Sequence, residues 1–169
     1  MQAFGGLAVL CNCQYPAGRL ERVDETKGAA PVTEHTATGP ISSGAVAKRI
    51  LVVEDNDLNR KLFCDVLKAS GFVVEPCADG ELALNGARAF DPDLVIMDIQ
   101  LPNISGMDLI RQMKRDGTLS RVPVLAVTAY AGKGDEEKIR SAGAAGYLSK
   151  PVSIGPFMRA VRELLDIRG

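Results

Sequence analysis

From Lys48 onward, short apolar runs alternate with segments whose apolar residues recur every three or four positions. The runs at 50–53, 72–74, 93–97, 122–127 and 145–148, rich in Val, Ile and Leu, predict five strands. Between them the spacing is helical. In 57–70, Leu58, Leu62, Val66 and Ala69 form one stripe with Phe63 and Leu67 beside it. In 80–90 the stripe is Ala83, Ala87 and Phe90, with Asp79 placed to cap it; in 105–115 it is Leu109, Ile110 and Met113. In 153–167, Phe157, Val161, Leu164 and Leu165 repeat behind a candidate N-cap, Ser153. The remaining interval, AGKGDEEKIRSAG, predicts a polar fourth helix flanked by glycines. These stripes are expected to pack the core. Strand–helix alternation implies an α/β parallel sheet covered on both faces. Right-handed crossovers favour the doubly wound order 2-1-3-4-5, the flavodoxin-like (βα)5 arrangement.

The first 47 residues break this pattern. They are rich in Gly, Ala, Thr, Ser and Pro, show no sustained periodicity, and cannot bury enough apolar area to offset chain entropy. Two readings stand: a disordered tail, or sequence upstream of a start near Val46, a residue compatible with a GTG codon. Without a basic n-region, the short apolar stretch LAVLC does not make a secretory signal. The domain is therefore expected to occupy 48–169.

Composition narrows the function classes. At 46% apolar, 24% charged and a formal charge of -1, the chain gives no support to nucleic-acid binding. No apolar stretch approaches the roughly 18–20 residues of a membrane span. A cytoplasmic protein is expected from the α/β character of the chain, and a monomer is the expected state. Cys64 and Cys77 fall inside predicted elements, where they read as small apolar residues. Cys11 and Cys13, with His35 as a third candidate, match no standard zinc spacing.

The chemistry lies at the strand ends. Glu54 and Asp55 follow the first strand, Asp98 ends the third before a Pro/Asn/Ser/Gly loop, Thr128 ends the fourth, and Lys150-Pro151 follows the fifth. Ligands of doubly wound sheets bind beyond the C-terminal strand ends, beside the switch point between strands 1 and 3. Three carboxylates meeting there repel one another unless a cation intervenes. Mg2+ suits such oxygen donors. Asp55 and Asp98 are the expected direct ligands, with Glu54 acting through water and the Gln100 backbone carbonyl completing the protein's share. Asp98 is the expected nucleophile, since a carboxylate can carry a phosphoryl group as an acyl phosphate. Lys150 would supply a point charge and Thr128 a hydroxyl donor to the spread charge of the transferred group.

Taken together, Glu54-Asp55, Asp98, Thr128-Ala129, Tyr147 and Lys150-Pro151 resemble the receiver domain of two-component response regulators across 48–168. VEDNDLNRKLF, MDIQLPNISG, VTAYAGKGDEEKIRSAG and YLSKPVS are most similar to single-domain regulators of cell cycle and division in alphaproteobacteria; the 1–47 extension lies outside the resemblance. The resemblance implies that Asp98 is the phosphoacceptor, that Lys150 contacts the phosphoryl group, and that the Lys150–Pro151 peptide is cis. It further implies a switch in which Thr128 moves toward the phosphoryl group and Tyr147 rotates into the vacated space. Gln100 and Tyr130, two residues past Asp98 and Thr128, are placed to govern the phosphoryl lifetime.

The function expected is a phosphorylation-switched protein that takes its phosphoryl group from a histidine kinase or phosphotransfer protein. It would then alter an effector through its fourth helix, fifth strand and fifth helix. A phosphorelay intermediate or phosphate sink shares the same site chemistry. An aspartate-nucleophile phosphohydrolase would usually carry a second aspartate two residues after the nucleophile, where this chain has Gln100.

Overall fold

The computed structural model describes residues 47–129, 132 and 134–166. Within them, strands β1 (Arg49–Val53), β2 (Val73–Cys77), β3 (Leu94–Asp98), β4 (Val124–Thr128) and β5 (Gly146–Ser149) alternate with five helices. These are α1 (Asp57–Ala69), α2 (Gly80–Phe90), α3 (Gly106–Arg115), α4 (Asp135–Ser141) and α5 (Ile154–Asp166). All strand pairs are parallel and the sheet order is β2-β1-β3-β4-β5, as the alternation predicted.

The unbroken apolar strands follow from burial on both faces. Leu51, Val53, Val95, Met97, Val124 and Ala126 point into one core layer with residues of α2, α3 and α4. Their neighbours Ile50, Val52, Leu94, Ile96, Leu125 and Val127 point into the other, against α1 and α5. Phe63 of α1 stacks on Phe157 of α5 with ring centroids 4.9 Å apart. No helix among the described residues is long and apolar enough to cross a membrane.

Three details depart from the sequence pattern. In α1 the buried residues are Phe63, Cys64 and Leu67, while Leu58 is 79% and Leu62 42% exposed. The sheet therefore meets a face rotated away from the stripe that Leu58 and Leu62 suggested. Strand β2 runs on through Glu75, Pro76 and Cys77, because it lies at the sheet edge, where proline's missing N–H leaves no inner ladder bond unmade. Cys77 is only half-buried there, whereas Cys64 is buried as expected.

Asp116 organises the turn between α3 and β4. Its carboxylate accepts hydrogen bonds from the Thr118 N–H and hydroxyl and the Leu119 N–H, and pairs with Arg88 of α2 at 2.7 Å. Thr118 above all, then Arg88, holds this carboxyl well below the usual range. A folded-state pKa below the unfolded value of about 3.9 stabilises the fold above that pH, and the contribution is lost as pH falls through the folded value. Asp116→Asn is therefore expected to lower the urea midpoint at pH 7, and the gap from wild type should narrow in strongly acidic buffer. A gap that widened on acidification would contradict this assignment.

Candidate functional site

Strand register brings the acids together. Val53 pairs with Met97 across β1 and β3, so Glu54 and Asp98 emerge side by side at the same end of the sheet. Asp98 pairs with Val127 of β4, and Thr128 with Ser149 of β5, which places Thr128 and Lys150 next along the same edge. The Lys150 N–H donates to the Thr128 carbonyl at 2.7 Å, and the Lys150–Pro151 peptide bond is cis.

Carboxylate oxygens of Glu54, Asp55 and Asp98 lie within 4.8 Å of one another. Glu54 and Asp98 are buried, each side chain only 2% exposed, while Asp55 is open to solvent. The Lys150 ammonium donates to Asp98 Oδ2 at 2.7 Å and to Glu54 Oε1 at 3.0 Å. Glu54 Oε2 is 2.9 Å from the same nitrogen, an ion-pair contact without hydrogen-bond geometry. Asp98 Oδ1 accepts from the Gln100 N–H at 2.9 Å, so each Asp98 oxygen is oriented by a different element.

The charge balance is uneven, with three carboxylates meeting one lysine. Burial, then the neighbouring Asp98 charge, raises the Glu54 carboxyl above its ordinary value against the opposing pull of Lys150 and Asn59. Burial opposes the Lys150 charge, but its hydrogen bonds to Asp98 and Glu54 outweigh burial and hold the ammonium above its ordinary value. Hard oxygen donors carrying surplus negative charge, one of them open to water, fit a Mg2+ ion that keeps part of its hydration shell.

Thr128 is fully buried and lines a cavity of about 200 Å³ with Ile99, Met107, Asp135, Lys138 and Ile139. Tyr147 is half-buried on β5, opposite Ala126 and packed against the α2–α4 side of the core. Gln100 is exposed beside Asp98. Tyr130 lies outside the described residues.

Sequence reasoning passed over Asn56 of the β1–α1 loop and Asn59 and Arg60 at the start of α1. Asn56 caps α1, accepting from the Leu58 and Asn59 N–H groups. Asn59 Nδ2 donates to Glu54 Oε1 at 3.2 Å. Arg60 Nη1 donates to the Glu54 carbonyl at 2.8 Å and the Asp55 carbonyl at 3.0 Å. For Asn59 and Arg60 the signal was the spacing: polar side chains in a first helical turn, four to six residues past an acid pair, point back at the loop that delivers it.

The model of the response regulator receiver domain family matches residues 50–162. The polar-differentiation response regulator DivK of Brucella ovis is 46% identical over 120 residues, covering 71% of this chain and 98% of that protein. DivK of Brucella anthropi is 47% identical over 118 residues, covering 70% and 96%. Among solved structures, the receiver domain of sensor histidine kinase PA1611 from Pseudomonas aeruginosa is similar at a TM-score of 0.66 and 32% identity, over 71% of this chain and 98% of that one. That structure has a magnesium ion coordinated in the active site cleft. The chemotaxis response regulator CheY4 of Vibrio cholerae shares the fold at a TM-score of 0.66 and 24% identity, covering 70% and 98%.

Proposed function

We propose that this chain, which belongs to the response regulator receiver domain family of two-component signalling, takes a phosphoryl group onto Asp98 and changes its affinity for protein partners as a result. The observation that carries the reading is the buried Asp98 carboxylate, held by the Lys150 ammonium at 2.7 Å and the Gln100 N–H at 2.9 Å beside two further acids.

In the step proposed, an oxygen of Asp98 attacks phosphorus in line. The bond from phosphorus to an imidazole nitrogen of the donor histidine breaks, and that nitrogen keeps the electron pair. Little covalent work falls to the protein, so its contribution is position and charge. Lys150 moves from neutralising Asp98 to neutralising the phosphoryl oxygens, and Thr128 donates its hydroxyl to one of them. Asp55 and Asp98 would hold Mg2+, with Glu54 behind a water and the Gln100 carbonyl as a further ligand; the ion supplies counter-charge to the transferred group.

The signal then travels through β4 and β5. Thr128 borders an apolar cavity under α4, so a shift of its side chain toward the phosphoryl group changes packing against Ile139. Tyr147, on the adjoining strand, rotates with it. Driving a two-state equilibrium from 1:99 to 99:1 needs about 5.5 kcal/mol, more than one charge-assisted hydrogen bond supplies, so partner binding shares the work. The donor is a histidine kinase or phosphotransfer protein. The similarity to DivK supports a role in cell-cycle or division control, and Gln100 and Tyr130 are assigned to the phosphoryl lifetime.

Intact-mass measurement after incubation with Mg2+ and acetyl phosphate tests the acceptor. Wild type is expected to gain one phosphoryl group and Asp98→Asn none. An equal gain in both proteins would move the acceptor elsewhere, and a gain in neither would remove the basis of the switch.

A further inference from the structure

We propose that Arg60 is a positioning residue for the divalent-cation site, holding the acidic loop in its binding shape from the first turn of α1. The inference rests on the reading of Glu54, Asp55 and Asp98 as that site. Strand pairing lets go of the chain at this point: the last β1–β2 bond runs from the Glu54 N–H to the Cys77 carbonyl, and α1 begins three residues later at Asp57. Between those anchors the loop must turn the Glu54 side chain inward and leave the Asp55 carboxylate at the surface, with both within 4.8 Å of Asp98.

The Arg60 guanidinium fixes that turn by gripping consecutive carbonyls. Nη1 donates to the carbonyls of Glu54 and Asp55, and Nη2 pairs with Asp57, which tethers the fork at its other end. The side chain is only 18% exposed, and its own N–H is bound to the Asn56 carbonyl, so the fork projects from a fixed helical turn. Asn59 completes the arrangement by holding the Glu54 carboxylate itself at 3.2 Å. A planar fork with five donors in fixed directions can span two carbonyls and a carboxylate at once, which the compact lysine ammonium cannot reproduce.

Position and charge make opposite predictions for this residue. As a bare cation near the site, Arg60 would repel a divalent ion, and its removal would tighten binding. As the brace of the loop, it pre-forms the ligand geometry, and its removal would weaken binding. Arg60→Lys keeps the charge and loses the fork; Arg60→Met loses both.

Calorimetric titration of the full chain with Mg2+, for wild type and the two variants, separates these cases. Both variants are expected to bind Mg2+ about ten-fold more weakly, the lower end of the effect of losing a partner that orients metal ligands. Their phosphorylation by acetyl phosphate should return to the wild-type rate at saturating Mg2+, because the acceptor and Lys150 are untouched. Unchanged binding in Arg60→Lys, or tighter binding in Arg60→Met, overturns the proposal. Should Arg60→Met fail to fold, Arg60→Lys decides alone, since an ammonium keeps the charge at that turn. A wild type that binds no Mg2+ overturns the cation site itself, and the role of Arg60 with it.

Discussion

Lys150→Met is expected to abolish phosphorylation and, in EDTA at neutral pH, to destabilise the fold by about 3 kcal/mol. Methionine keeps most of the apolar stem, so the change isolates the ammonium. Without it, the side chains of Glu54 and Asp98, each 2% exposed, face one another with no cation between them. Leaving a buried charge unpaired costs more than the net worth of the pair, because desolvation has already been incurred. The full cost is not reached here, since Glu54 already holds its proton above the ordinary range and would be the first to neutralise. That sets the pH dependence. In the variant the folded Glu54 pKa rises further above its unfolded value, so its contribution to stability is fully present below the unfolded value and is lost as pH climbs through the folded one. The gap between variant and wild type should therefore shrink from pH 7 to pH 5. Mg2+ should narrow it too: loss of the competing ammonium lets the variant bind the ion more tightly than wild type, and each ten-fold gain in affinity recovers about 1.4 kcal/mol at saturating ion. Urea denaturation in EDTA and in Mg2+ reads both effects. Wild-type stability of Lys150→Met in EDTA at neutral pH would mean that the lysine does not neutralise the buried acids.

How much of this was legible in the sequence follows from what each residue depends on. The strands were readable because burial on both sheet faces leaves no polar position in Ile50–Val53, Leu94–Met97 or Val124–Val127. The meeting of the acids was readable because parallel strands end at one edge, whatever the details of their register. The inward face of α1 was not. Leu58 and Leu62 look like core in a one-dimensional pattern, and only the seating of the helix on the sheet and α5 turns Phe63 and Leu67 inward instead. The seven-residue α4 was blurred for a different reason. Its buried residue is Ile139, and its N-cap is Gly134 in a left-handed conformation with no side-chain cap bond, so neither amphipathicity nor capping marks its start. Asn59 and Arg60 stayed hidden because they act on carbonyls and a carboxylate across a loop, a relation that spacing suggests but only geometry fixes.

Gly106 belongs with these hidden residues, and its replacement is the second large effect expected. In sequence it is one more glycine of a turn; in the structure it begins α3 against the backbone of the acceptor itself. A Cβ at this position would stand 2.1 Å from the Asp98 carbonyl oxygen, 2.7 Å from Ile99 Cα and 2.9 Å from the Asp98 carbonyl carbon. All three atoms are backbone, so no side chain can swing aside. Gly106→Ala must either pull α3 back, breaking the 3.1 Å bond from the Gly106 N–H to the Ile99 carbonyl, or displace the end of β3 from its place between β1 and β4. Overpacking of this kind costs about 3 kcal/mol, and a lost buried backbone bond adds to it. Because Asp98 rides on the peptide that is pushed, the acceptor moves with it. Phosphorylation by acetyl phosphate should therefore fall even at temperatures where the variant is still folded. Gly86→Ala is the matched control: it lies inside α2 with open space around its Cβ position, and alanine there is expected to add about 0.5–1 kcal/mol through helix propensity. Opposite signs for the two glycines, read by urea denaturation, would establish that Gly106 is required for the close approach of α3 to the acceptor strand. Equal stability of Gly106→Ala and wild type would mean that the β3–α3 junction has slack enough to absorb a methyl group, and the tight hold on Asp98 inferred from it would fall.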